Sequence, residues 1–452
     1  MEFETGRYKI TVDELQKGGP GGYESVYLTS EGYPASPGLR EVLDKFSGSL
    51  LPNDNNSIRQ RNGENLVTAL EESRSVGIAS GFKPSGAYHF GHKLTSETVA
   101  FFQRNGAQVF VPVADIECAM DSKLTQEEYQ FWAADNLLDW GANGVDLDAA
   151  HVYLQSEEFR VNMLSYVVAR SLRFDLAADI YGADKLIDDF PFLFAGITQV
   201  GDILLPQHND FGNHHSFMVS GQDQDGHMKM TTALTKVTLD SGIDLLGVTT
   251  IPSAFYIPHI RGTDGEKMSS SRPEYTIYLG QGAEEEDLVE RTRRSMKKIN
   301  EADTDYLERC SLDMVRYLDC FNGLSRVSFR ELCSQPRYLE LSEALETADT
   351  RENQLKAQYD IDAYLIARCR EQSQDNAEIV RDSLPDALKD HQKKREILLA
   401  YAIDRTKNHG SAQDVKKPEF WQTPDKTAVN ELSPNPTQWY NLVANVAARI
   451  NP

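Results

Sequence analysis

The chain contains Val76-Gly-Ile-Ala-Ser-Gly-Phe-Lys-Pro-Ser-Gly-Ala-Tyr-His-Phe-Gly-His92, which predicts a short buried strand, a Gly/Pro turn and a helix from Phe90 to Arg104. Backbone N–H groups and the helix dipole favour an anion where the turn meets the helix. His89 and His92 add donors for phosphate oxygens there, and Gly91 leaves room for a flat base. The alternative is two ordinary histidines near a helix cap.

Strands and helices alternate further along the chain. Gln108–Ala114 and His151–Leu154 predict strands, and an amphipathic helix opened by Thr125 lies between them. After a mostly helical stretch, Phe217–Ser220 predicts a strand that leads into a helix from Asp223, and Ala254–Pro258 predicts the last strand. This order predicts an α/β fold with a parallel sheet and helices on both faces.

The pattern also predicts a domain plan. The expected units are an N-terminal extension and linker over 1–75, a Rossmann-type domain over 76–272 with a helical insertion at about 156–215, a helical domain over 273–400, and a C-terminal segment over 401–452.

The composition is acidic, with 46 Lys and Arg against 69 Asp and Glu and a net charge of −23 spread along 452 residues. Either this is an ordinary repulsive surface, or it is an adaptation to high salt, which we favour.

The polar N-terminus and the lack of a long apolar run indicate a cytoplasmic protein without a membrane partner. The five cysteines form no close pair, so we expect neither a disulfide framework nor a metal site.

A second motif, Gly265-Glu-Lys-Met-Ser-Ser-Ser271, places a lysine and three hydroxyls in a polar loop after the last strand. Such groups can hold a triphosphate while charge develops. Taken alone, however, the motif is also typical of a common solvated loop. Together with His89-Phe-Gly-His92, it resembles the paired HIGH and KMSKS signatures of class I aminoacyl-tRNA synthetases. The order and the separation agree, and the resemblance covers roughly residues 76–300.

Three further segments are similar to the tryptophanyl and tyrosyl subclass. Ser80–Gly86 resembles the turn that opens its catalytic domain, Ser220–Asp225 resembles a segment that contacts substrate and nucleotide, and Gln199–Leu205 resembles a helix whose Asp reads a ring donor. The resemblance implies a Rossmann-type catalytic domain followed by an α-helical anticodon-binding domain. It also implies activation of an amino acid with ATP and Mg²⁺, followed by transfer to tRNA.

The resemblance assigns residues to roles by position. The catalytic group is His89, His92, Lys267, Ser269, Ser270 and Ser271; the ATP-binding group is Ser85, Gly91, Gln222, Asp223 and Met268; the amino-acid-binding group is Gly81, Glu117, Gln199, Asp202 and Gln224.

The same resemblance favours tryptophan over tyrosine. Two positions that usually hold Tyr in tyrosyl enzymes are Ala79 and Ala195. Asp202 is the candidate acceptor for the indole N–H, since a buried carboxylate rejects substrates without a donor. The alternative is that Asp202 only caps or solvates its helix. Gly226 and Thr232 depart from the subclass, which usually carries Pro and Arg there.

Basic clusters are the candidate contacts for tRNA(Trp). One comprises Arg291, Arg293, Arg294, Lys297 and Lys298, of which the last four are the proposed contacts, and another comprises Lys393, Lys394 and Arg395. For each cluster, local pairing with carboxylates is the alternative. The subclass also implies a homodimer. Two other functions remain open: a tyrosine enzyme, or a paralogue that binds an aromatic amino acid without charging tRNA.

Overall fold

The computed structural model describes residues 59–257, 267–270, 272–276, 278–279, 335–347, 373–407, 415–421 and 438–450, strands at 2–5, 8–11 and 33–34, and a few positions between 350 and 364. The strands are β1 Glu2–Thr5, β2 Tyr8–Thr11, β3 Tyr33–Pro34, β4 Arg59–Arg61, β5 Val76–Ala79, β6 Gln108–Val113, β7 Ala150–Leu154, β8 His215–Gly221 and β9 Ser253–Ile257.

The helices are α1 Gly63–Glu71, α2 Phe90–Arg104, α3 Asp115–Asp121, α4 Gln126–Ala142, α5 Phe159–Ala169, α6 Phe174–Tyr181, α7 Ala183–Asp188, α8 Phe190–Leu204, α9 Asp225–Asp240, α10 Pro336–Glu346, α11 Ser373–Lys407 and α12 Trp439–Ile450. Short 3-10 turns cover Leu205–Gln207, Gln222–Gln224 and Pro273–Tyr275. None of the helices in these described ranges is long and apolar enough to cross a membrane.

Within the described residues, a sheet of seven strands has the order β3-β4-β9-β8-β5-β6-β7. The strands from β9 to β7 are parallel, and β3 and β4 run antiparallel at the edge beside β9. The α/β fold and its five predicted strands are confirmed. Between β5 and β8 the strand order reverses direction, and open α/β sheets bind ligands at such a point, beyond the carboxyl ends of the strands.

Helices cover both faces of the sheet, as predicted. Alternate residues of a strand face opposite sides: Val109 and Val111 of β6 lie in one buried cluster with α1, α2 and α4. Phe110 lies in a second cluster with α5, α8 and α9. The segment predicted as a helical insertion supplies α5 to α8, so it forms the second cover of the sheet.

Residues 59–71 pack with the seven-stranded sheet and its buried core, although the sequence pattern placed them in the extension that ends at residue 75. The β4 strand pairs with β9, and α1 buries Leu66 and Val67 in the main core. The three residues of β4, Arg-Gln-Arg, carry no apolar alternation, so periodicity could not indicate a strand. The sheet therefore begins earlier in the chain than the predicted boundary.

Charged side chains join α11 to α4. The Arg395 guanidinium contacts Asp135 and Asp139, and His391 Nε2 lies 2.8 Å from Asp139 Oδ1. Arg395 is buried, whereas Lys394 pairs with Asp390 on its own helix. The prediction of a tRNA contact is therefore wrong at Arg395, because this buried guanidinium faces the carboxylates of α4.

Replacing Arg395 by Met should lower the free energy of unfolding by about 3–5 kcal/mol, because two buried carboxylates would lose their partner. Chemical unfolding in the presence of salt measures the change. Lys416→Met is the matched control, since its pair with Glu419 is exposed and its loss should leave the stability unchanged. Equal stability of both variants would contradict a structural role for Arg395.

Candidate active site

A cavity of about 800 Å³ opens beyond the carboxyl ends of β5, β6, β8 and β9. Most of the residues predicted for catalysis, ATP and the amino acid line it. They are Gly81, Ser85, His89, Gly91, His92, Glu117, Gln199, Asp202, Asp223, Gln224, Lys267, Met268, Ser269 and Ser270. The remaining predictions, namely the Gln222 side chain, Ser271, Arg293, Arg294, Lys297 and Lys298, lie outside the described residues.

Two glycines allow the close approaches that shape this cavity. A Cβ on Gly81 would lie 1.8 Å from the Pro112 carbonyl oxygen, so only glycine fits there. A Cβ on Gly86 would lie 2.8 Å from Ser270 Cβ. The absence of a side chain at Gly86 therefore lets the turn before α2 pack against the second signature loop.

The two histidines of the first signature stack on each other, with ring centroids 3.8 Å apart. His89 is the N-cap of α2, where its Nδ1 accepts from the Gly91 N–H at 3.1 Å. Burial is the main cause that lowers the pKa of both rings; nearby Lys267 adds to it, and the pKa of His92 falls to about 4. Both imidazoles are therefore neutral at pH 7, so each has one N–H to donate and a bound phosphate would favour protonation.

His92 has an unused polar atom. Its Nδ1 is buried and has no hydrogen-bond partner within the described part of the chain. Buried polar atoms are normally hydrogen-bonded, so an unpartnered one in a cavity wall indicates a place for a ligand atom.

Lys267 connects the second signature to the turn after β8. Its Nζ donates to Asp223 Oδ2 at 2.8 Å, and about half of its side chain is exposed. An ammonium on a flexible stem can follow a phosphate group that moves, because it acts as a point charge. The pair therefore holds Lys267 at the cavity wall, within reach of a nucleotide.

Asp202 lies deep in the cavity wall and is 3% exposed. Its carboxylate accepts from Tyr153 Oη at 2.8 Å and from Gln155 Nε2 at 2.6 Å. Burial raises the pKa of Asp202 to about 7, against the opposing effect of these two hydrogen bonds. The alternative that Asp202 caps or solvates its helix is wrong, because its partners come from β7 and the residue after it.

Tyr153 and Gln155 are site residues that the sequence analysis missed. They are two positions apart at the carboxyl end of β7, so their side chains leave the strand on the same face. That spacing, at an end of a strand where such sheets bind ligands, was the available signal.

Amide and charged side chains from the predicted amino-acid-binding group also line the cavity. Gln199 Nε2 donates to Gln224 Oε1 at 3.0 Å. Glu117, which the sequence analysis assigns to the amino-acid-binding group, lies 3.4 Å from the ammonium of Lys83. A substrate ammonium would therefore meet Glu117 in competition with Lys83, which is a third residue that the sequence analysis did not assign.

Aromatic side chains form a further wall. Tyr181 and Phe192 line the cavity beside His227, and Tyr181 Oη lies 2.9 Å from His227 Nδ1. A Cβ on Gly226 would lie 2.9 Å from a ring carbon of Tyr181. The departure from Pro at Gly226 thus has a physical reason, since it makes room for this ring.

Replacing Asp202 by Asn should stabilise the fold at pH 8 by about 2–4 kcal/mol, and the gain should disappear towards pH 4. The folded-state pKa of about 7 lies above the unfolded one, so the folded wild type binds more protons between these values and loses stability as the pH rises. In this variant the Gln155 amide can rotate, so that its oxygen accepts a hydrogen bond from the new amide at position 202. Unfolding measured from pH 4 to pH 8 tests this, and parallel stability curves would contradict it.

Comparisons with known proteins agree with this geometry. The family model for tRNA synthetases class I (W and Y) matches residues 71–352. The tryptophan--tRNA ligase of Hyperthermus butylicus is 32% identical over 229 residues, which cover 48% of this chain and 57% of the relative. That of Methanocaldococcus jannaschii is 30% identical over 223 residues, which cover 48% and 58%. The chain thus matches less than two thirds of the length of these relatives.

A solved structure shares the fold. The crystal structure of tryptophanyl-tRNA synthetase from Aeropyrum pernix superposes with a TM-score of 0.55 at 23% identity, covering 78% of this chain and 91% of that chain. The family match spans more than half of the sequence and includes both signature segments. This chain therefore belongs to the class I tRNA synthetases of the tryptophan and tyrosine type.

Proposed function

We propose that this protein is a tryptophan--tRNA ligase. It would join the carboxylate of L-tryptophan to the α-phosphate of ATP, release pyrophosphate, and pass the tryptophanyl group to tRNA(Trp). The observation that carries the proposal is one cavity in which both signature segments face a buried, hydrogen-bonded Asp202. The named relatives, which are tryptophan--tRNA ligases, support it.

The proposed catalysis is electrostatic. An oxygen of the tryptophan carboxylate attacks the α-phosphorus, and the bond to the bridging oxygen of pyrophosphate breaks. His89 and His92 donate ring N–H groups to the reacting phosphates, and Lys267 holds the departing pyrophosphate with the hydroxyls of Ser269 to Ser271. These donors stabilise charge that grows in the transition state, and no covalent nucleophile is needed.

Mg²⁺ fits this site as an ion that arrives with ATP. Among the described residues, no three His, Cys, Asp or Glu side chains come together to hold a metal. Mg²⁺ commonly binds through substrate phosphates and water with few protein ligands. When bound, it would neutralise part of the triphosphate charge. Exchange assayed with EDTA and then with added Mg²⁺ tests the requirement.

Asp202 would select the amino acid. A carboxylate has about four acceptor positions, and Tyr153 and Gln155 occupy two of them, which leaves capacity for the indole N–H. Tyrosine also carries a ring donor, so the distinction rests on the shape of the cavity and on the Ala at positions 79 and 195. Tyrosine activation is therefore the competing outcome.

Pyrophosphate exchange with each of the twenty amino acids, at low and at molar KCl, tests the proposal. Tryptophan alone should support exchange, and acylation of tRNA(Trp) should follow. Tyrosine-dependent exchange would instead indicate a tyrosine enzyme. A folded sample that is silent with all twenty would indicate a paralogue that binds without charging tRNA.

The salt series also tests adaptation to high salt. The net charge of −23 predicts strong self-repulsion that salt screens. Exchange and thermal stability should both rise towards molar KCl. Highest activity in dilute buffer would contradict the adaptation.

We expect a homodimer that forms through α5. Phe159, Met163 and Tyr166 are 66%, 46% and 70% exposed, and their spacing puts them on one face of this helix. Large apolar groups that share an exposed face commonly mark association. Equilibrium sedimentation should give twice 50.8 kDa, and Tyr166→Asp should give the monomer. A wild-type monomer in molar KCl would contradict the expectation.

We expect tRNA to contact Arg293, Arg294, Lys297 and Lys298. Phosphate contacts position a nucleic acid, and each lost contact reduces the salt dependence of binding. The four Ala variants should raise the KM for tRNA and leave tryptophan exchange unchanged.

Because the proposed partner is tRNA(Trp), we place the enzyme in the cytoplasm, which cell fractionation can check.

A further inference from the structure

Arg61 on β4 makes a fully buried, two-point contact with Asp225. Its Nε donates to Oδ1 at 2.7 Å and its terminal nitrogen to Oδ2 at 2.8 Å. Tyr256 Oη donates to the same carboxylate at 2.7 Å, and Lys229 Nζ lies 3.3 Å away. Burial alone would raise the pKa of Asp225, but these partners, Arg61 foremost, lower it to about 2. Asp225 is therefore a carboxylate fixed in orientation.

Asp225 is also the residue at which the site turn meets α9. The 3-10 turn of residues 222–224 ends immediately before it, and Asp225 itself lines the cavity. The turn carries Asp223, which holds Lys267, and Gln224, which contacts Gln199. Any shift of Asp225 would therefore move both the phosphate side and the amino-acid side of the cavity.

Asn62 makes a second contact with α9, next to the first. Its Nδ2 donates to Thr232 Oγ1 and to the Pro252 carbonyl, both at 3.0 Å. Thr232 is two helical turns after Asp225 on α9, so both lie on one face of the helix. Helical side chains lean towards the N-terminus, so an Arg at position 232 would extend towards Asp225.

We propose that Arg61 is a positioning residue of the active site, which orients the turn of residues 222–224 through its two-point contact with Asp225. Arg61 is not among the residues that line the cavity, and its two-point contact reaches the cavity through Asp225, which does line it. The role in activation rests on the proposed function. The consequence is that the segment before the strand-turn-helix unit is part of the catalytic machinery.

The test compares Arg61→Met, Arg61→Lys, Thr232→Arg and the double variant Arg61→Met with Thr232→Arg in the full chain. Arg61→Met should lower kcat/KM for tryptophan in pyrophosphate exchange by about 100-fold, the cost of a small misplacement of reacting groups. Arg61→Lys keeps the charge but loses the two-point contact, so it should fold and fall in between. Thr232→Arg alone crowds a second guanidinium beside Arg61 and should also be impaired.

The double variant is the decisive comparison. It should be more active than either single variant, because the guanidinium from position 232 replaces the one removed. Hydrogen exchange of the peptide covering 220–226, without any ligand, should be faster in Arg61→Met and slow again in the double variant. Arg74→Met is the control, since it removes an exposed pair with Glu72 and should change neither measurement.

Three results would overturn the proposal. Arg61→Met could keep kcat and KM within about twofold while its thermal stability falls, which would show a purely structural role. The double variant could be no better than Arg61→Met. Hydrogen exchange over 220–226 could be unchanged in Arg61→Met and in Arg61→Lys. By contrast, a wild-type chain without tryptophan-dependent exchange would refute the proposed function, and the hydrogen-exchange comparison would still decide the role of Arg61.

Discussion

Replacing Lys267 by Ala is expected to lower the kcat of tryptophan-dependent pyrophosphate exchange by about 100- to 1,000-fold, the usual cost of losing one donor at a developing charge. Lys267 lies at the cavity wall, where its ammonium donates to Asp223. Its proposed partner, pyrophosphate, gains charge only as the reaction proceeds. The loss should therefore appear in kcat, and tryptophan affinity should stay close to that of the wild type.

Lys416→Ala is the matched control for this variant, because it removes a lysine from an exposed ion pair. Its exchange rate should equal that of the wild type. His92→Ala should resemble Lys267→Ala, since both groups face the same phosphates in the proposed mechanism. Unchanged exchange in both site variants would contradict the assigned roles. A loss confined to tryptophan affinity would show that Lys267 contacts the amino acid and not the phosphates.

The second large effect is expected at Asp202. Asp202→Ala should lower kcat/KM for tryptophan by about 100- to 10,000-fold, because the indole N–H would lose its acceptor in a buried site. The KM for ATP should hardly change. Exchange measured with tryptophan, tyrosine and phenylalanine tests this, and the preference for tryptophan over phenylalanine should collapse. Tryptophan kinetics that do not change would show that Asp202 is not the ring reader.

Asp179→Ala is the control, since this exposed carboxylate lies on α6 of the same helical insertion. Tyr153→Phe and Gln155→Ala each remove one donor to Asp202 and should weaken tryptophan selection less than Asp202→Ala.

The pH dependence of tryptophan affinity gives a second test of Asp202. Because the pKa of Asp202 is raised to about 7, its carboxylate gains a proton below that pH, and tryptophan affinity should fall. Asp202→Asn should remove this dependence.

Local patterns predicted much of this protein because they depend on neighbours in the chain. The α2 helix has the predicted bounds, and Thr125 forms the predicted cap of α4, where its hydroxyl accepts from the Glu128 N–H. The site residues converge because parallel strands end at one edge of the sheet, so the order of motifs along the chain already indicated their meeting place.

Long-range ion pairs could not be predicted in the same way. Arg61 lies in a polar strand whose partner Asp225 is 164 residues away, and no spacing along the chain connects them. Arg395 lies in a basic run that resembles a solvated helix face, yet its carboxylate partners are on α4. Charge patterns show where charges are, but the fold decides which of them are buried together.

The pairing of β4 with β9 also bears on the order in which the protein is assembled during synthesis. Asn62 leaves the ribosome 190 residues before Pro252, its partner beside β9. The strand made early is therefore placed late, after the parallel strands β5 to β8 have emerged. Ribosome-bound chains that stop before residue 253 should be cleaved by protease near β4, and chains that extend well past β9 should be protected there. Before β9 has been made, the nascent chain has an unpaired sheet edge, and Arg61 has not reached its partner. Both make the nascent chain vulnerable to misassembly.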